Sequence, residues 1–403
     1  MDDAGHRFRW VVFGGLCGLY FGFGVIVSSI APLVTTMRID LGIGSAAFGL
    51  ALGAWPFVYI VTAPPAGWML DRIGLARAMA IGGVVIAISG ALRAGADGLA
   101  TLWLAIGVFG FGGPLISAGG PKVVATWFVD DRERRIALAS YTAAPALGTF
   151  MTLLLTNSVL MPWLDSWRAV LLLDAAVMVV AVAAWMVISL LAPDPPVRAD
   201  EPATTAERGV WKMLLRARGV QHALVVGLAL FFFTHGLQNW FPTLLEEHSG
   251  FSTPAASNWA AGAGAVSLVA AATIPRRADR ERAPLIMRVV LVLVTIALIG
   301  ILVLPRELDP FPILLLGIRS ALVPIALLML LEVREVTAAN AGMANGLWFS
   351  FAEIGGVTGP LAVGVLADTS AGFGGVLVLL VGVCALLFLL IPAGGRGSVS
   401  STR

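Results

Sequence analysis

A short charged phrase occurs twice in this chain, each time between two long apolar runs. The first copy is Gly67–Gly74 (GWMLDRIG) followed by Arg77, and the second is Pro275–Arg280 (PRRADR). Asp279 follows Asp71 by 208 positions. Such a phrase suits a tight turn at which a chain leaves a membrane, meets water and re-enters at once. The repeat therefore predicts a membrane protein whose second half is a diverged copy of the first.

Composition points to the same environment. Hydrophobic residues make up 58% of the chain and charged residues 12%, and the mean hydropathy is +0.91. Soluble domains carry about 25% charged residues. A spanning helix needs about 20 apolar residues, and twelve runs of that kind can be drawn. In chain order, these spans 1 to 12 are 10–36, 45–69, 78–95, 99–128, 136–160, 168–191, 220–247, 254–275, 285–304, 310–332, 339–366 and 372–391.

The basic residues indicate the orientation of the chain. With the first residue in the cytoplasm, 21 of the 26 lysines and arginines lie on that side or at its interface. Arg38, Arg93, Arg168 and Arg306 face outward, and Arg319 lies within a span. Cytoplasmic loops carry such an excess. We expect an integral protein of the bacterial inner membrane with both termini in the cytoplasm. We expect no nucleic-acid partner, because the orientation of the chain in the membrane already accounts for the basic residues.

The first apolar run is 27 residues long and shows no small-residue cleavage site, so we expect a retained helix and not a signal peptide. Cys17 and Cys384 both fall within spans, which predicts buried thiols and no disulfide.

One long polar stretch divides the chain. Residues 192–219 contain four prolines among scattered charges, which indicates a cytoplasmic linker between two halves, 1–191 and 220–403. A second pair of phrases supports a duplication, because residues 144–148 correspond to residues 351–355 at an offset of 207.

The first charged phrase matches G-x-x-x-D-R-x-G-x-x-R at every fixed position. With its degraded second copy, the chain resembles the major facilitator superfamily of secondary transporters. This resemblance implies an all-α fold of two pseudo-symmetric six-helix bundles, which rock about a site between them. It also implies that helices 1, 4, 7 and 10 line the cavity and that the chain is a functional monomer.

Further phrases resemble the bacterial cyanate-transporter-like and nitrate-transporter-like members. They are Gly113-Pro114, Pro121-Lys122, Trp127-Phe128, residues 239–244 and residues 353–360. Nitrate porters place substrate-binding arginines in helices 2 and 8, and spans 2 and 8 contain none here, which argues against nitrate. The drug-antiporter signature of helix 5 is also missing from span 5.

Two charged residues deep in the membrane are the first candidates for a site, since a charge there needs a partner or a water-filled cavity. Arg319 lies about 14 Å into span 10, near the midplane of a core about 30 Å thick. Glu353 lies about 9 Å from the outer face by the same geometry, so the two side chains could meet. They form either a structural salt bridge or an anion-binding guanidinium beside a proton-exchanging carboxylate.

Other polar residues join these candidates. Span 7 places His235, Gln238, Asn239 and Pro242 on one helix face, and His235 could share proton traffic with Glu353. Hydroxyl groups for substrate could come from Tyr20, Tyr59 and Tyr141, although ordinary packing explains them equally well. Two further charged residues have structural interpretations: Lys122 snorkels toward the cytoplasm, and Asp174 bonds a neighbouring helix.

The repeated phrases suggest a gate. Asp71 and Asp279 can cap helix N-termini, while Arg72, Arg77 and Arg280 can bridge to neighbouring cytoplasmic helix ends. In the family the resemblance points to, this latch closes the cytoplasmic side. The alternative is that the charges only anchor the loops in water.

These features favour transport over catalysis, because the four histidines show no paired spacing for a metal or a general base, and we expect no cofactor. The favoured function is a secondary transporter of a small anion, coupled to protons as a symporter and working by alternating access. The alternative is a proton-driven exporter of hydrophobic or drug-like compounds.

Overall fold

The computed structural model describes residues 3–195, 209–337 and 340–392, without the side chains of residues 3–7 and 139. Regular structure in these ranges is helical throughout, and twelve of the helices are long and apolar enough to cross a membrane. In order, helices 1 to 12 are Phe8–Leu41, Ser45–Ile73, Leu75–Ala94, Leu99–Trp127, Asp131–Leu164, Trp167–Leu191, Arg218–Glu247, Thr253–Arg277, Ala283–Val303, Arg306–Leu331, Ala341–Ala367 and Gly372–Leu390. The predicted twelve-helix membrane fold is confirmed.

Several of the twelve helices contain an irregular turn, among them helices 5 and 10. Helix 5 contains a wide π turn at Thr156–Leu160. Helix 10 consists of Pro310–Leu315, a tight 3₁₀ segment at Leu316–Ala321, and Leu322–Leu331. A 3₁₀ stretch inside a helix often marks a functional hinge, and this one contains Arg319.

Helices 1 to 6 and helices 7 to 12 form two halves. Helix 1 packs on helices 5 and 6 in the first half, and helix 7 packs along helix 11 in the second. Between the halves, helix 2 lies against helix 11 and helix 5 lies against helix 8. The central face of each half is therefore made by helices that also meet the other half.

Glycine contacts show the relationship between the halves at the level of single residues. A Cβ on Gly148 of helix 5 would collide with the carbonyl oxygen of Phe21 in helix 1, and a Cβ on Gly355 of helix 11 would collide with that of Leu228 in helix 7. Both the glycines and their partners are 207 positions apart in the sequence. The same backbone contact thus fixes the same helix crossing twice, which is what pseudo-symmetric halves require.

Polar contacts between the halves cluster at one end of the molecule. We call the end that carries the start of helix 1, the end of helix 6 and the start of helix 7 the linker end, and the opposite end the far end. Described pairs at the far end are Thr35 with Glu246, Arg38 with Glu247, Asn157 with Ser257 and Ser158 with Asn258. No polar pair of this kind joins the halves at the linker end among the residues that the structure describes. The far end is therefore closed in this conformation.

Two sequence expectations need revision here. The expected linker 192–219 lies outside the described residues at 196–208, but Val210–Arg216 is a short helix, and helix 7 begins at Arg218 instead of 220. Arg93 was expected to face outward at the end of span 3. The structure buries it, because the guanidinium donates to the carbonyl of Ile26 at 2.5 Å and to Ser29 Oγ at 3.1 Å.

Gly355→Ala tests the helix 7–helix 11 crossing. The added methyl group must push the two backbones apart, and overpacking of this kind costs about 1–3 kcal/mol. We expect a lower thermal midpoint and weaker transport. The matched control is Gly346→Ala in the same helix, where a Cβ meets nothing within 4 Å and higher helix propensity adds up to about 1 kcal/mol. Equal midpoints for the two variants would contradict the proposed contact.

Candidate functional site

The helix 7–helix 11 crossing brings His235 and Glu353 together inside the second half. Nδ1 of His235 lies 3.8 Å from Oε2 of Glu353, and the two side chains are 14% and 4% exposed. This distance suits an ion pair but is too long for a hydrogen bond. Neither atom has a hydrogen-bond partner among the described residues. The result is a buried imidazole and carboxylate that are adjacent but not satisfied by each other.

Aromatic rings and a glycine shape the space around this pair. The indole ring of Trp55, from helix 2 in the first half, lies 5.2 Å from the His235 ring. The ring of Phe231, from helix 7 itself, lies 5.0 Å from the same His235 ring. A Cβ on Gly356 would lie 2.5 Å from both His235 Nδ1 and Glu353 Oε2. The His235–Glu353 pair therefore depends on glycine at position 356. The contact with Trp55 places the interface between the halves next to His235.

Arg319 does not meet Glu353, so this sequence expectation is wrong. Its Nη1 donates to the carbonyl of Leu316 at 3.1 Å, and its guanidinium carbon lies 5.8 Å from the centre of the Phe241 ring. The 3₁₀ segment around Arg319 packs against helices 8 and 9 and not against helix 11, which explains the separation. No carboxylate forms an ion pair with Arg319 within the described part of the chain.

Serine side chains hold the 3₁₀ segment against helix 8. Ser267 Oγ donates to the carbonyl of Gly317 at 2.9 Å, and Ser320 Oγ donates to the carbonyl of Ser267 at 2.8 Å. Gly317 permits this approach, because a Cβ there would lie close to the backbone of Ala263. Contacts with helix 8 therefore hold the 3₁₀ segment of helix 10 in place. They also fix the position of Arg319, which belongs to this segment.

The amides predicted on helix 7 differ in their availability. Asn239 Nδ2 donates to the carbonyl of His235 at 2.8 Å, so it is occupied within its own helix. Gln238 is partly buried, and its side chain has no hydrogen bond to another described residue. Of the two, Gln238 is the amide that could bind a solute.

The three tyrosines lie in the first half and are mostly engaged. Tyr20 is buried and its hydroxyl donates to the carbonyl of Ile116 at 2.9 Å, while the Tyr141 ring packs edge-on against it with centroids 5.0 Å apart. The hydroxyl of Tyr59 lies 2.7 Å from Ser117 Oγ. The structure thus gives Tyr20 and Tyr141 packing contacts, whereas Tyr59 lies beside Trp55 at the interface between the halves.

The first charged phrase does not cap a helix as expected. Helix 2 continues to Ile73, so Asp71 lies in its last turn, and its carboxylate accepts from Lys122 Nζ of helix 4 at 2.5 Å. Helix 3 starts after Gly74, whose φ of +87° makes the turn. Arg72 stacks over Trp68 at 5.0 Å. The Lys122 side chain is 39% exposed and ends in this ion pair with Asp71.

The second charged phrase comes closer to the expectation. Asp279 accepts from the backbone N–H of Arg282 at 2.8 Å just before helix 9, and Arg280 pairs with Glu332 at 3.3 Å. Each phrase therefore bonds the linker end of a helix in its own half, helix 4 in the first and helix 10 in the second. Arg77 has no described partner.

Two of the buried charges outside the predicted site lie on helices 3 and 6. Arg93 is 1% exposed and Asp174 is 5% exposed, and they lie close enough for electrostatic interaction between helices 3 and 6. Asp174 makes no hydrogen bond or ion pair with the described residues, and its Oδ2 is buried without a hydrogen-bond partner there, so the expected bond to a neighbouring helix is not found. Arg93 was missed because it stands at the end of an apolar run, where sequence alone suggests contact with water. No group of three or more histidine, cysteine or acidic residues suited to a metal occurs in the described ranges.

Comparisons with known proteins agree with this architecture. The "Uncharacterized transporter YycB" of Bacillus subtilis is 23% identical over 96% of this chain and 93% of its own length. The "Hexuronate transporter" of Escherichia coli K12 is 25% identical over 40% of this chain and 36% of its own length. The "Galacturonate transporter" of Dickeya chrysanthemi is 25% identical over 44% of this chain and 51% of its own length.

Solved structures share the fold. The nucleoside transporter NupG superposes with a TM-score of 0.77 at 16% identity, over 94% of this chain and 98% of that one. A bacterial homolog of the human lysosomal transporter Spinster also gives 0.77 at 14% identity, over 95% of this chain and 97% of that one. The family model for the Major Facilitator Superfamily matches residues 16–336, more than half of the chain. This chain, with its twelve membrane helices and twice-built helix crossings, belongs to the Major Facilitator Superfamily of secondary transporters and is not an enzyme.

Proposed function

We propose that this transporter carries a small organic anion through the inner membrane and couples its movement to protons. The observation that carries the proposal is Arg319, an arginine deep in the membrane with no carboxylate partner among the described residues. A charged group there needs compensation. An anionic solute supplies the missing charge once in each transport cycle.

The donor groups of Arg319 suit that role. One nitrogen is engaged with the carbonyl of Leu316 and the face of the guanidinium lies near Phe241, which leaves its other N–H groups for a ligand. A planar guanidinium presents donors in a fork that matches a carboxylate with two parallel hydrogen bonds. Arginine on a rigid, serine-pinned segment of helix 10 is therefore a fixed anchor. Gln238 of helix 7 is the candidate for a second, neutral contact.

His235 and Glu353 supply the coupling in this proposal. A buried carboxylate that lacks a hydrogen bond is costly when ionised, so it binds a proton readily and releases it only when its surroundings change. Trp55 of the other half covers the neighbouring imidazole, so rocking of the halves changes the exposure of the pair. Proton exchange at Glu353 is thereby tied to the same motion that moves the solute.

Relatives support the substrate class. The hexuronate and galacturonate transporters carry, by their names, sugar acids with one carboxylate, and both match parts of this chain. The cyanate-like and nitrate-like phrases point to anions as well. Aromatic rings around His235 are what favours the second candidate, a proton-driven exporter of hydrophobic compounds. That function would not need Arg319.

Orientation follows from the basic residues in the proposal. With the linker end in the cytoplasm, residues 192–219 join the two bundles there, and the present conformation is closed to the outside. Asp71 and Arg72, with Arg77 and the second-half residues Asp279 and Arg280, then form the latch of the cytoplasmic gate. We expect the chain to function as a monomer in the bilayer.

Arg319→Lys separates the two candidate functions. Lysine keeps the charge but loses the fork, so anion binding should fall by at least about tenfold, the factor given by about 1.4 kcal/mol. The measurement is a thermal-shift screen with glucuronate, galacturonate and formate beside the lipophilic cation tetraphenylphosphonium. Arg276→Lys in an exposed loop is the control. A wild-type protein that is stabilised only by tetraphenylphosphonium would support the exporter instead.

Glu353→Gln tests the coupling. Glutamine keeps the size and one carbonyl oxygen but cannot carry the proton, so solute should exchange across the membrane without accumulating against a pH gradient. Proteoliposomes loaded with the anion found in the screen measure exchange and proton-driven uptake side by side. Glu281→Gln, exposed in the loop before helix 9, is the control. Undiminished proton-driven uptake in Glu353→Gln would remove Glu353 from the coupling role.

Two variants with opposite expected effects on the conformation test the latch. Asp71→Asn should favour the conformation that is open at the linker end, whereas Lys122→Met frees Asp71 from its partner in the present conformation and should favour closure. Both side chains are more than a third exposed, so thermal stability should change by no more than about 1 kcal/mol. Spin-label distances between Arg132 and Glu281 report opening. If both variants match the wild type, the charges only anchor the loops.

A further inference from the structure

The first turn of helix 2 is capped by a residue of the other half. Asp368 stands directly after the last residue of helix 11, and its Oδ1 accepts from the backbone N–H of Ser45 at 3.0 Å. Its Oδ2 accepts from the N–H of Ala46 at 2.8 Å. These two donors belong to the start of helix 2, where helical N–H groups have no partner inside their own helix.

Helix 2 has no cap of its own at this end. Its N-cap residue is Gly44, which has no side chain to accept a hydrogen bond. A Cβ at Gly44 would lie 3.1 Å from Asp368 Oδ2, so the glycine also leaves room for the carboxylate. The usual N-cap residues are serine, threonine, aspartate and asparagine from the same chain segment. Here an aspartate from 323 positions further along the chain takes that place.

Arg38 adds a second link at the same point. It lies near the end of helix 1 in the first half, and Nη1 donates to Glu247 Oε1 of helix 7 at 3.3 Å. Its Nη2 lies 4.0 Å from Asp368 Oδ1, and its guanidinium lies over the Trp240 ring at 5.9 Å. One arginine of the first half thus contacts three residues of the second.

The backbones of helices 2 and 11 touch just below the cap. A Cβ on Gly49 would collide with the carbonyl of Pro360, and a Cβ on Gly364 would collide with that of Ser45. Close contact of this kind leaves no room for Asp368 to slide along helix 2 while keeping its hydrogen bonds. The far end can open only if the carboxylate leaves both N–H groups.

We propose that Asp368 is a gating residue of the transport cycle, which holds the far end closed by capping helix 2 of the opposite half and releases it when the halves rock. The cap is formed only in the far-end-closed conformation, so it acts on the balance between conformations and not on the solute. This inference rests on membership of the transporter family and is independent of the identity of the anion.

The cap stays charged at ordinary pH. Burial by itself would raise the pKa of Asp368, but the N–H groups of Ala46 and Ser45 and the Arg38 guanidinium stabilise the carboxylate and hold its pKa below the usual range. The stabilisation is complete above the ordinary carboxyl pKa of about 4 and is lost only as pH falls through the lowered value. The Asp368 cap therefore keeps a constant strength over this pH range, and the charged groups that accompany it are Arg38 and, through Arg38, Glu247.

Spin-label distances measure the gate without any solute. Nitroxides at Asp97 and Glu307, which are exposed at the far end on opposite halves, are attached after Cys17 and Cys384 are replaced by serine. Asp368→Ala in nanodiscs should shift the population toward longer distances by about tenfold in the equilibrium constant, the usual size of a lost helix cap, and Asp368→Asn, which keeps one acceptor oxygen, should shift it less. The shift should be the same at pH 5.5 and pH 7.5.

A change on the other side of the hydrogen bond gives an independent test. Ser45→Pro removes one N–H donor, while proline suits the first position of a helix and the φ of −71° and ψ of 169° at Gly44 suit a residue before proline. It should shift the distances in the same direction as Asp368→Ala.

The control is Asp165→Asn, an exposed far-end carboxylate in the left-handed conformation that asparagine tolerates. It should keep the wild-type distances. Wild-type distances in Asp368→Ala and Ser45→Pro, with thermal midpoints that show folded protein, would overturn the proposal.

Discussion

Backbone contact between helices 7 and 11 is the constraint on which the proposed chemistry depends. Gly355 brings the helices together at Leu228, and Gly359 does the same against Phe232. Gly356, between them, leaves the space in which His235 and Glu353 approach each other. With side chains at these positions the helices would separate, and the imidazole and the carboxylate would face different surroundings. The approach of His235 to Glu353 is therefore a consequence of close helix packing and not of electrostatic attraction.

Charged residues make different kinds of contact at the far end and at the linker end. At the far end, Arg38 and Asp368 join the two halves, and the contacts involve backbone N–H groups whose positions are fixed. At the linker end, the pairs Asp71–Lys122 and Arg280–Glu332 stay within one half. Exposed pairs of this kind contribute little to stability. Polar contacts between the halves therefore hold the present conformation at the far end. At the linker end, the charged pairs connect groups of the same half.

The sequence predicted the fold well, because membrane helices need long apolar runs and duplicated halves leave matching phrases. Even the weak third span is present as Leu75–Ala94. Single side chains were harder to predict. Arg319 was placed beside Glu353 by counting residues along regular helices, and the 3₁₀ segment in helix 10 altered that geometry. Asp71 was expected to cap a helix because span 2 was drawn to end at residue 69, whereas helix 2 continues to Ile73. His235 and Glu353 were predicted near the same height, and the structure places them together.

The internal repeat shows where chemistry and scaffold have diverged. At the offset of 207, His235 corresponds to Ser28 and Glu353 corresponds to Ala146. Ser28 donates to the carbonyls of Gly24 and Val25 in its own helix. The first half thus keeps the helix crossing of the second but carries neutral residues in place of the ionisable pair. The same helix crossing occurs in both halves, whereas the ionisable side chains stand at these positions in the second half alone, so in the proposed mechanism a two-fold symmetric motion acts on an asymmetric site.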